Sequence, residues 1–448
     1  MVSHTGSPRR PFRAPGDSTV ARASRRQAFA SHHNSVSLSM ARPPFIDWGD
    51  LMRSKRRLTL VSSSIAAGLM FHAAAQQAPP GDFGSPFPGL TPVQQLAFDD
   101  GRRQFAAIEG VADGLGPVFN DRSCVACHSA NAAGGGGNRT VTRFGRAADG
   151  VFDPMSEFGG SLIQSRGIGP ITTAEGSTNF QAETVPAEAN VVARRRTTPL
   201  FGLGLVDAVL EETWLAIAAA EAADPDGAVG RPNIVLNLDT RRPAVGKFGW
   251  KAQVPTLLQF SADAYLNEMG ITNPLFRDES CPQGNCALLA FNPAPAMNDN
   301  GDKVQKITDF MTLLAPPPRG PITAESQAGE VVFAEIGCAS CHVPTLRTGP
   351  SPIAALNRVS FHPYSDFLLH DMGRLGDGIV QGLAAGREMR TTPLWGLRTL
   401  QRFLHDRSAR SLEQAIQRHD GQGVRSRDRF AELDPDRVTS LLAFLRSL

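Results

Sequence analysis

The chain has 448 residues, of which 41% are hydrophobic and 20% charged. This is enough apolar material for a buried core, and it excludes disordered and fibrous proteins. The formal net charge of +2 conceals an uneven distribution, because residues 1–75 hold eleven basic and three acidic residues whereas residues 76–448 hold 34 basic and 40 acidic ones. A chain that is acidic over most of its length lacks the basic surface that nucleic acid attracts, so we expect no nucleic-acid partner.

The first 75 residues have the order of a secretory signal peptide. Basic residues at 53–57 precede an apolar stretch at 58–71, which is followed by Ala73-Ala74-Ala75. An apolar stretch of only about 14 residues is short for a membrane anchor. We therefore predict a start at Met52, cleavage after Ala75, and a periplasmic mature protein without a membrane span, in an oxidising compartment.

Four of the six cysteines form two CxxCH motifs, at 124–128 and at 338–342. This spacing is the attachment pattern of c-type haem, in which two thiols bind the vinyl groups and the adjacent imidazole binds the iron. A structural zinc site usually gathers its cysteine pairs at much shorter separation. The sequence thus predicts two covalently bound haem c groups, attached by Cys124, Cys127, Cys338 and Cys341, with His128 and His342 as iron ligands.

The remaining cysteines, Cys281 and Cys286, lie in the short segment CPQGNC. In an oxidising compartment two cysteines at this spacing favour a small loop-closing disulfide. A reactive dithiol is the alternative, but no neighbouring residue promotes it.

Both CxxCH motifs lie inside a repeated series of short words. Gly101-x-x-x-Phe105 precedes the first motif and Gly329-x-x-x-Phe333 precedes the second. RTTPLFGL begins at Arg196, after the first motif, and RTTPLWGL begins at Arg390, after the second. This order predicts internal duplication of one haem-binding unit.

Local signals around the motifs are mostly helical. Thr91-Pro92 and Asp434-Pro435 are typical helix starts, whereas an alternating segment near Thr140–Phe144 favours a β-hairpin. We expect a mainly α fold of two cytochrome c-like haem domains, related by internal duplication, with small β-hairpin insertions. The predicted boundaries are 1–75 for the leader, 76–230 for the N-terminal haem domain, 231–320 for a less regular central segment and 321–448 for the C-terminal haem domain.

The histidines are distributed unevenly between the two halves. None occurs between residues 129 and 341. The first haem must therefore take its second ligand from another residue type, borrow a histidine from the other half, or remain five-coordinate and open to peroxide or oxygen.

In the second half, Ser411 has the signal of a helix N-cap, and the helix it begins places His419 on the same face as Leu412, Ala415 and Ile416. His419 is therefore the candidate second ligand of the C-terminal haem. A satisfied histidine near a helix end is the alternative. His405, His370 and Met372 are the rival ligands.

The repeat offset aligns His405 with Glu211 and His419 with Pro225. Since proline cannot bind iron, Glu211 and its neighbour Glu212 are the candidate catalytic acid or base over the first haem. Solvated carboxylates at a helix start are the alternative for both. The three tryptophans that could relay electrons or simply pack in the core are Trp214, Trp250 and Trp395.

Several longer words carry a family resemblance over roughly residues 90–448: GLGPVFNDRSCVACH, RTTPLFGLGLVDAV, GKFGWKAQVPTLLQFSADAYLNEMGITN, GCASCHVPT, YSDFLLHDMG, RTTPLWGL and FLHDRSARSLEQAIQRH. The chain resembles the di-haem oxidoreductase family, which is related to bacterial di-haem cytochrome c peroxidases. In those peroxidases the second ligand of the C-terminal haem follows the histidine of an HDG motif by fourteen residues, a spacing that relates His405 to His419 here. Arg407 stands where that motif has glycine, and it would strain a backbone with positive φ.

The resemblance implies a periplasmic enzyme that reduces hydrogen peroxide. A small cytochrome c or cupredoxin would supply electrons, which would pass from the C-terminal to the N-terminal haem, and a calcium ion is a further cofactor that such peroxidases use. The distal histidine of the peroxidases has no counterpart in the matching N-terminal region, so activation by release of that ligand is not expected. The alternatives are an electron-transfer cytochrome without its own substrate, or an oxygenase or oxidase of an organic or protein substrate, as in related rubber oxygenases and the oxidase that matures a tryptophan-derived cofactor.

Overall fold

The computed structural model describes residues 82–224, 228–294 and 296–448. These residues belong to one unit, Ala75–Leu448, and the predicted leader at 1–75 lies outside the described ranges. Within those ranges, every helix is too short or too polar to cross a membrane.

Helix accounts for 36% and strand for 17% of the structure, so the fold contains more strand than a mainly α prediction suggests. The described residues form nine α-helices: α1 (Pro92–Ala106), α2 (Leu203–Asp207), α3 (Glu211–Ala223), α4 (Leu257–Met269), α5 (Asp302–Leu313), α6 (Ala324–Glu335), α7 (Leu412–Gln417), α8 (Val424–Ala431) and α9 (Pro435–Ser447).

The strands are short and pair only in small antiparallel sheets. They are β1 (Val118–Phe119), β2 (Thr140–Ala148), β3 (Val151–Asp153), β4 (Arg166–Gly167), β5 (Gly169–Thr173), β6 (Gly176–Phe180), β7 (Val191–Arg196), β8 (Asn233–Asn237), β9 (Arg242–Gly246), β10 (Leu346–Arg347), β11 (Ser360–Phe361), β12 (Leu369–Asp371) and β13 (Glu388–Arg390). The predicted hairpin strand is β2, which pairs with β3 and with β7. Arg196 and Arg390, the first residues of the two RTTPL words, are thus the last residues of β7 and β13.

The predicted helix starts are confirmed. The Thr91 hydroxyl accepts a hydrogen bond from the Gln94 backbone N–H, and the Gln94 side chain accepts one from the Thr91 N–H. Asp434 caps α9 in the same way, by accepting from the Arg437 N–H. These side chains satisfy N–H groups that have no partner inside the helix.

Each CxxCH motif follows a helix that is crossed closely by a second helix. An added Cβ at Gly101 of α1 would lie 2.1 Å from the Lys306 carbonyl oxygen of α5. At Gly329 of α6 it would lie 1.8 Å from the Ser440 carbonyl oxygen of α9. The repeated glycine therefore allows the same close helix crossing beside each motif.

The repeated phenylalanine packs at the same crossing in both halves. The ring centroids of Phe105 and Phe310 are 5.0 Å apart, and those of Phe333 and Phe444 are 5.2 Å apart. Such equivalent geometry is what internal duplication of a haem-binding unit would produce, and duplication itself stays a prediction.

The buried hydrophobic residues form two main clusters. The larger cluster includes α1, α4 and α5 and reaches Trp395 in the second half. The smaller cluster joins α6 and α9 to residues around Phe403 and Leu412. The range 231–320 contributes α4 and α5 to the larger cluster, so the segment expected to be less regular supplies helices to the first unit. The predicted domain boundaries themselves remain untested.

A buried ion cluster connects the two halves. Arg195 of β7 donates to Asp377 over 2.6 Å, and Lys251 lies 3.2 Å from the other carboxylate oxygen. All three side chains are at most 3% exposed. Burial would raise the pKa of Asp377, but Arg195 and Lys251 together hold it below its usual value.

Two further predictions concern the Cys281–Cys286 pair and Arg407. Cys281 and Cys286 form the predicted disulfide. Arg407 has a φ of 62°, the left-handed conformation that favours glycine. The position therefore has the positive φ at which arginine was expected to strain the backbone, and the strain itself stays a prediction. The Arg407 guanidinium donates to the Asn138 side chain over 2.9 Å.

Candidate haem sites

The second CxxCH motif follows α6 in a 3-10 turn, Cys338–Ser340. The His342 N–H donates to the Cys338 carbonyl over 3.0 Å, which keeps the motif tightly turned. Burial raises the pKa of Cys338 to about 12 and also raises that of Cys341. Both thiols are thus protonated and lack the thiolate character of reactive redox cysteines.

A cavity of about 790 Å³ adjoins this motif and is large enough for an extended organic cofactor. Cys338, Cys341 and His342 line one part of its wall, and His419 lines another. The donor set that haem c requires is therefore gathered around one space.

The two imidazoles at this cavity are oriented in the same manner. The Nδ1 atom of His342 lies 2.9 Å from the Tyr364 carbonyl oxygen, and that of His419 lies 2.8 Å from the Ala415 carbonyl oxygen. A carbonyl fixes Nδ1 as the protonated nitrogen and leaves the Nε2 lone pair free for a metal. Burial lowers the pKa of both histidines, that of His342 to about 4, so both are neutral and able to bind iron.

The helix face predicted around His419 lines this cavity. Leu412, Ala415 and Ile416 contribute to the wall together with His419, although α7 ends at Gln417. The rivals Met372, His370 and His405 also line the cavity. Because all four residues line the same cavity, the assignment of His419 as the second iron ligand stays a prediction.

Two buried arginines line the cavity and have no carboxylate partner within ion-pair distance in the described chain. Arg196 is 8% and Arg390 is 7% exposed. Arg196 donates to the Arg402 carbonyl over 3.1 Å, and Arg390 donates to the Gly249 carbonyl over 2.7 Å. A buried charge without a counter-ion is costly, and haem carries propionate carboxylates. These guanidinium groups therefore fit a haem in this space.

The first CxxCH motif has the same turn, Cys124–Ala126, with the His128 N–H donating to the Cys124 carbonyl over 2.9 Å. Burial raises the pKa of Cys124 to about 12 and that of Cys127 to about 11. The glycine-rich stretch wraps closely around the motif, because an added Cβ at Gly137 would lie 2.0 Å from the Cys127 carbonyl oxygen.

His128 is placed like His342 with respect to the helices. Its ring centroid is 6.1 Å from that of Phe105, and the corresponding distance from His342 to Phe333 is 6.2 Å. Burial lowers the pKa of His128 to about 4. The backbones of Thr198 and Gly135 act in the opposite direction on this pKa, and the Nδ1 atom of His128 is buried without a hydrogen-bond partner among the described residues. His128 is therefore also neutral and suited to bind iron.

The first motif differs from the second in the polar groups around it. The Glu268 charge acts on the Cys127 thiol and raises its pKa further. The Asn120 amide donates to Glu268 over 2.7 Å, and burial raises the pKa of that carboxyl group. Arg143 and Asp263 interact electrostatically with Glu268, so a half-buried cluster of charged residues stands beside this motif.

A model of the family described as "Di-haem oxidoreductase, putative peroxidase" matches residues 171–448. The chain belongs to the di-haem oxidoreductase family. Membership implies a redox enzyme with haem cofactors. The matched range contains the second CxxCH motif, while the first lies N-terminal to it.

No curated relative matches this di-haem oxidoreductase. Among solved structures, it is similar to Kuenenia stuttgartiensis hydrazine synthase pressurised with xenon, at 13% identity over 88% of this chain and 100% of that chain, with a TM-score of 0.34. It is also similar to a MauG-like protein associated with microbial copper homeostasis, at 14% identity over 84% of this chain and 95% of that chain, with a TM-score of 0.35. Scores this low do not bear on the substrate.

Within the di-haem oxidoreductase, Glu211 and Glu212 lie exposed in the first turn of α3. Their catalytic role stays a prediction. Of the three tryptophans, Trp250 and Trp395 line the cavity of the second motif, whereas Trp214 is buried against Phe367.

One cluster among the described residues could hold a metal ion: Cys341, Asp366 and His370. A thiol, one carboxylate and an imidazole are not the oxygen ligands that calcium prefers. Cys341 is moreover one of the cysteines predicted to attach haem. The predicted calcium ion therefore has no residues assigned to it.

Glu268, Arg196 and Arg390 are not among the site residues predicted from the sequence. The arginines open the two repeated RTTPL words, so the repeat itself was a usable signal. Glu268 lies in one of the words that carry the family resemblance, but only the packing of α4 against the segment before Cys124 brings it to the first motif.

Proposed function

We propose that this chain is a periplasmic di-haem enzyme that reduces hydrogen peroxide with electrons from a small cytochrome c or cupredoxin. The observation that carries the proposal is the unequal setting of the two motif histidines. His419 and His342 line one cavity, whereas no histidine occurs between residues 129 and 341. This asymmetry supports a first site that has an open coordination position.

Covalent attachment would use the four motif cysteines, and His128 and His342 would bind the two irons. His419 would complete the second site, since two nitrogen ligands leave no open position there. Haem supplies a redox-active iron at each site. Arg196 and Arg390 would balance the propionates at the second site, where both line the cavity and neither is within ion-pair distance of a carboxylate of the described residues.

Reduction of one hydrogen peroxide molecule to two water molecules consumes two electrons and two protons. A group that supplies protons must hold one near neutral pH and lie at the open site. Glu268 is our candidate, because burial raises the pKa of its carboxyl group, which favours the protonated form, and because its charge acts on Cys127 beside the first motif. We assign the acid–base role to Glu268 in preference to the exposed pair Glu211 and Glu212.

Electrons would enter at the second site and reach the first. This direction follows from the same asymmetry, because a site with two nitrogen ligands transfers electrons without binding substrate, while the open site can react. A small periplasmic cytochrome c or cupredoxin is the class of donor that the family resemblance implies.

The decisive experiment combines electron paramagnetic resonance and optical spectra of the ferric protein, wild type beside His419→Ala, with an assay of peroxide turnover. We expect one high-spin and one low-spin haem, with the low-spin signal lost in His419→Ala. Two low-spin haems would identify an electron-transfer cytochrome instead. Absence of peroxide turnover together with a stable oxygen adduct would favour an oxygenase.

A further inference from the structure

Three ionisable side chains meet in the interior next to the second CxxCH motif. Glu221 of α3 is 9% exposed, Asp366 is fully buried, and His370 of β12 is 1% exposed. Neither the ligand set nor the acid–base group at the first motif uses them. We call these three residues the Glu221 cluster.

The hydrogen bonds fix the charge of two members. His370 Nε2 lies 2.8 Å from an Asp366 carboxylate oxygen, and His370 Nδ1 lies 2.8 Å from the Gln422 side-chain oxygen. The Gln422 amide nitrogen donates to the Val229 carbonyl, which establishes that its oxygen faces the histidine. An imidazole between two acceptors must donate from both nitrogens, so His370 is a cation beside the Asp366 anion.

Glu221 is the member whose proton can vary. One of its oxygens accepts from the Gly230 N–H over 2.7 Å, while the other is buried without a hydrogen-bond partner among the described residues. The Asp366 side chain lies within hydrogen-bond reach of Glu221, and a carboxylic acid at Glu221 could donate to it. Burial, together with the Asp366 charge, raises the pKa of Glu221 to about 8.

The cluster reaches the haem cavity through His370. This residue lines the cavity, and its Nδ1 atom is 3.6 Å from the Cys341 sulfur. The Asp366 N–H also donates to the Cys341 carbonyl over 2.9 Å. A change of charge at the second site would therefore be felt by Glu221 through two buried, hydrogen-bonded neighbours in a medium of low dielectric constant.

The other charged groups around the cluster do not compete for its proton. Arg390 approaches Asp366 from β13 as a fixed cation, and Arg231 is paired with Glu388 over 2.5 Å. His342 and the Cys341 thiol, on the motif itself, are committed to haem binding if the proposed function holds.

We propose that the Glu221 cluster binds one proton when an electron enters the second haem site, so that electron uptake there is coupled to proton uptake. The inference rests on the proposed function, which places a haem on Cys338, Cys341 and His342. The electron comes from the donor protein and the proton from solvent. The only bond formed in the cluster is the O–H bond of Glu221, whose carboxylate becomes a carboxylic acid that donates to Asp366.

The test is a redox titration of the haem-loaded full chain at several pH values, with the second haem followed by its low-spin spectrum. We expect its midpoint potential to fall with rising pH by up to about 59 mV per pH unit around pH 8, the one-electron equivalent of a tenfold change in equilibrium constant. Glu221→Gln keeps an acceptor for the Gly230 N–H but cannot ionise, and it should flatten this slope. Glu325→Gln, at an exposed position on α6, should retain it.

A second variant displaces the Glu221 and His370 side chains without removing their charges. An added Cβ at Gly230 would lie 2.6 Å from Glu221 Oε2 and 2.7 Å from His370 Cε1. Gly230→Ala should therefore shift the pH range of the slope while keeping covalent haem. Equal slopes in wild type and Glu221→Gln, or no slope in the wild type, would overturn the inference.

The same samples separate this result from failure of the proposed function. Haem staining of the denatured chain, wild type beside the Cys338→Ala and Cys341→Ala double variant, reports whether haem is attached at the second motif. If it is not attached, the proposed function fails. If it is attached and the slope does not respond to Glu221→Gln, only the coupling inference fails.

Discussion

The two CxxCH sites share a scaffold and differ in what surrounds it. Each motif follows a helix crossed by a second helix at a glycine, and each motif histidine lies about 6 Å from the repeated phenylalanine. The second site adds His419 and buried arginines to its cavity, whereas the first adds Glu268 and its charged neighbours. The two sites thus share the CxxCH turn and the helix crossing, and they differ in the polar side chains around them.

The largest expected effect concerns Glu268, the carboxyl group beside the first motif. Glu268→Gln should lower peroxide turnover about 100- to 10,000-fold, the usual loss when a general acid or base is removed, and leave both haem spectra in place. Steady-state kinetics with a reduced donor protein measures the change, and Glu175→Gln, at an exposed turn, is the matched control.

The exposed carboxylates provide the opposing test. If the Glu211→Gln and Glu212→Gln double variant loses turnover while Glu268→Gln does not, the acid–base role belongs to α3, and the assignment to Glu268 is wrong.

A second prediction concerns the ion cluster that connects the two halves. Asp377→Asn leaves Arg195 and Lys251 buried without their counter-ion, and it should lower the free energy of unfolding by about 3–5 kcal/mol. Denaturant titration measures this loss. Asp371→Asn, in an exposed pair with Arg387, should cost at most about 1 kcal/mol. Similar losses in both variants would contradict the importance of the buried cluster.

The equivalence of the helix crossings predicts matched losses. Gly101→Ala and Gly329→Ala should each lower the free energy of unfolding by about 1–3 kcal/mol, because the added methyl group meets a backbone carbonyl in both cases. Gly110→Ala, where the nearest atom would be 3.4 Å away, should change stability less. A loss at only one crossing would weaken the case for duplication.

The smallest effect concerns the departure from the HDG motif. Arg407→Ala and Arg407→Gly both remove the contact with Asn138, but only glycine relieves the positive φ. The glycine variant should therefore be more stable than the alanine variant by about 1 kcal/mol. Thermal unfolding of the two variants measures this difference. Equal stability would contradict the expected backbone strain at Arg407.

Much of each site's attachment chemistry was predictable because it is local in sequence. The CxxCH spacing places two thiols and an imidazole in one turn, and the N-caps Thr91 and Asp434 begin helices with partners three residues away. The disulfide between Cys281 and Cys286 closes over only a few residues. The position of His419 beside the cavity also agrees with its spacing to Leu412 and Ile416, which line the same cavity, although α7 ends at Gln417.

Only the tertiary structure decided which distant residues meet. Glu268 reaches the first motif because α4 packs against the segment before Cys124, and Glu221 reaches Asp366 from an otherwise alanine-rich helix. Glu268 lies in a word that carries the family resemblance, but the local sequence around either carboxylate does not predict these partners. Their altered proton affinity comes from burial among groups far away in sequence, and that environment exists only when the chain is folded.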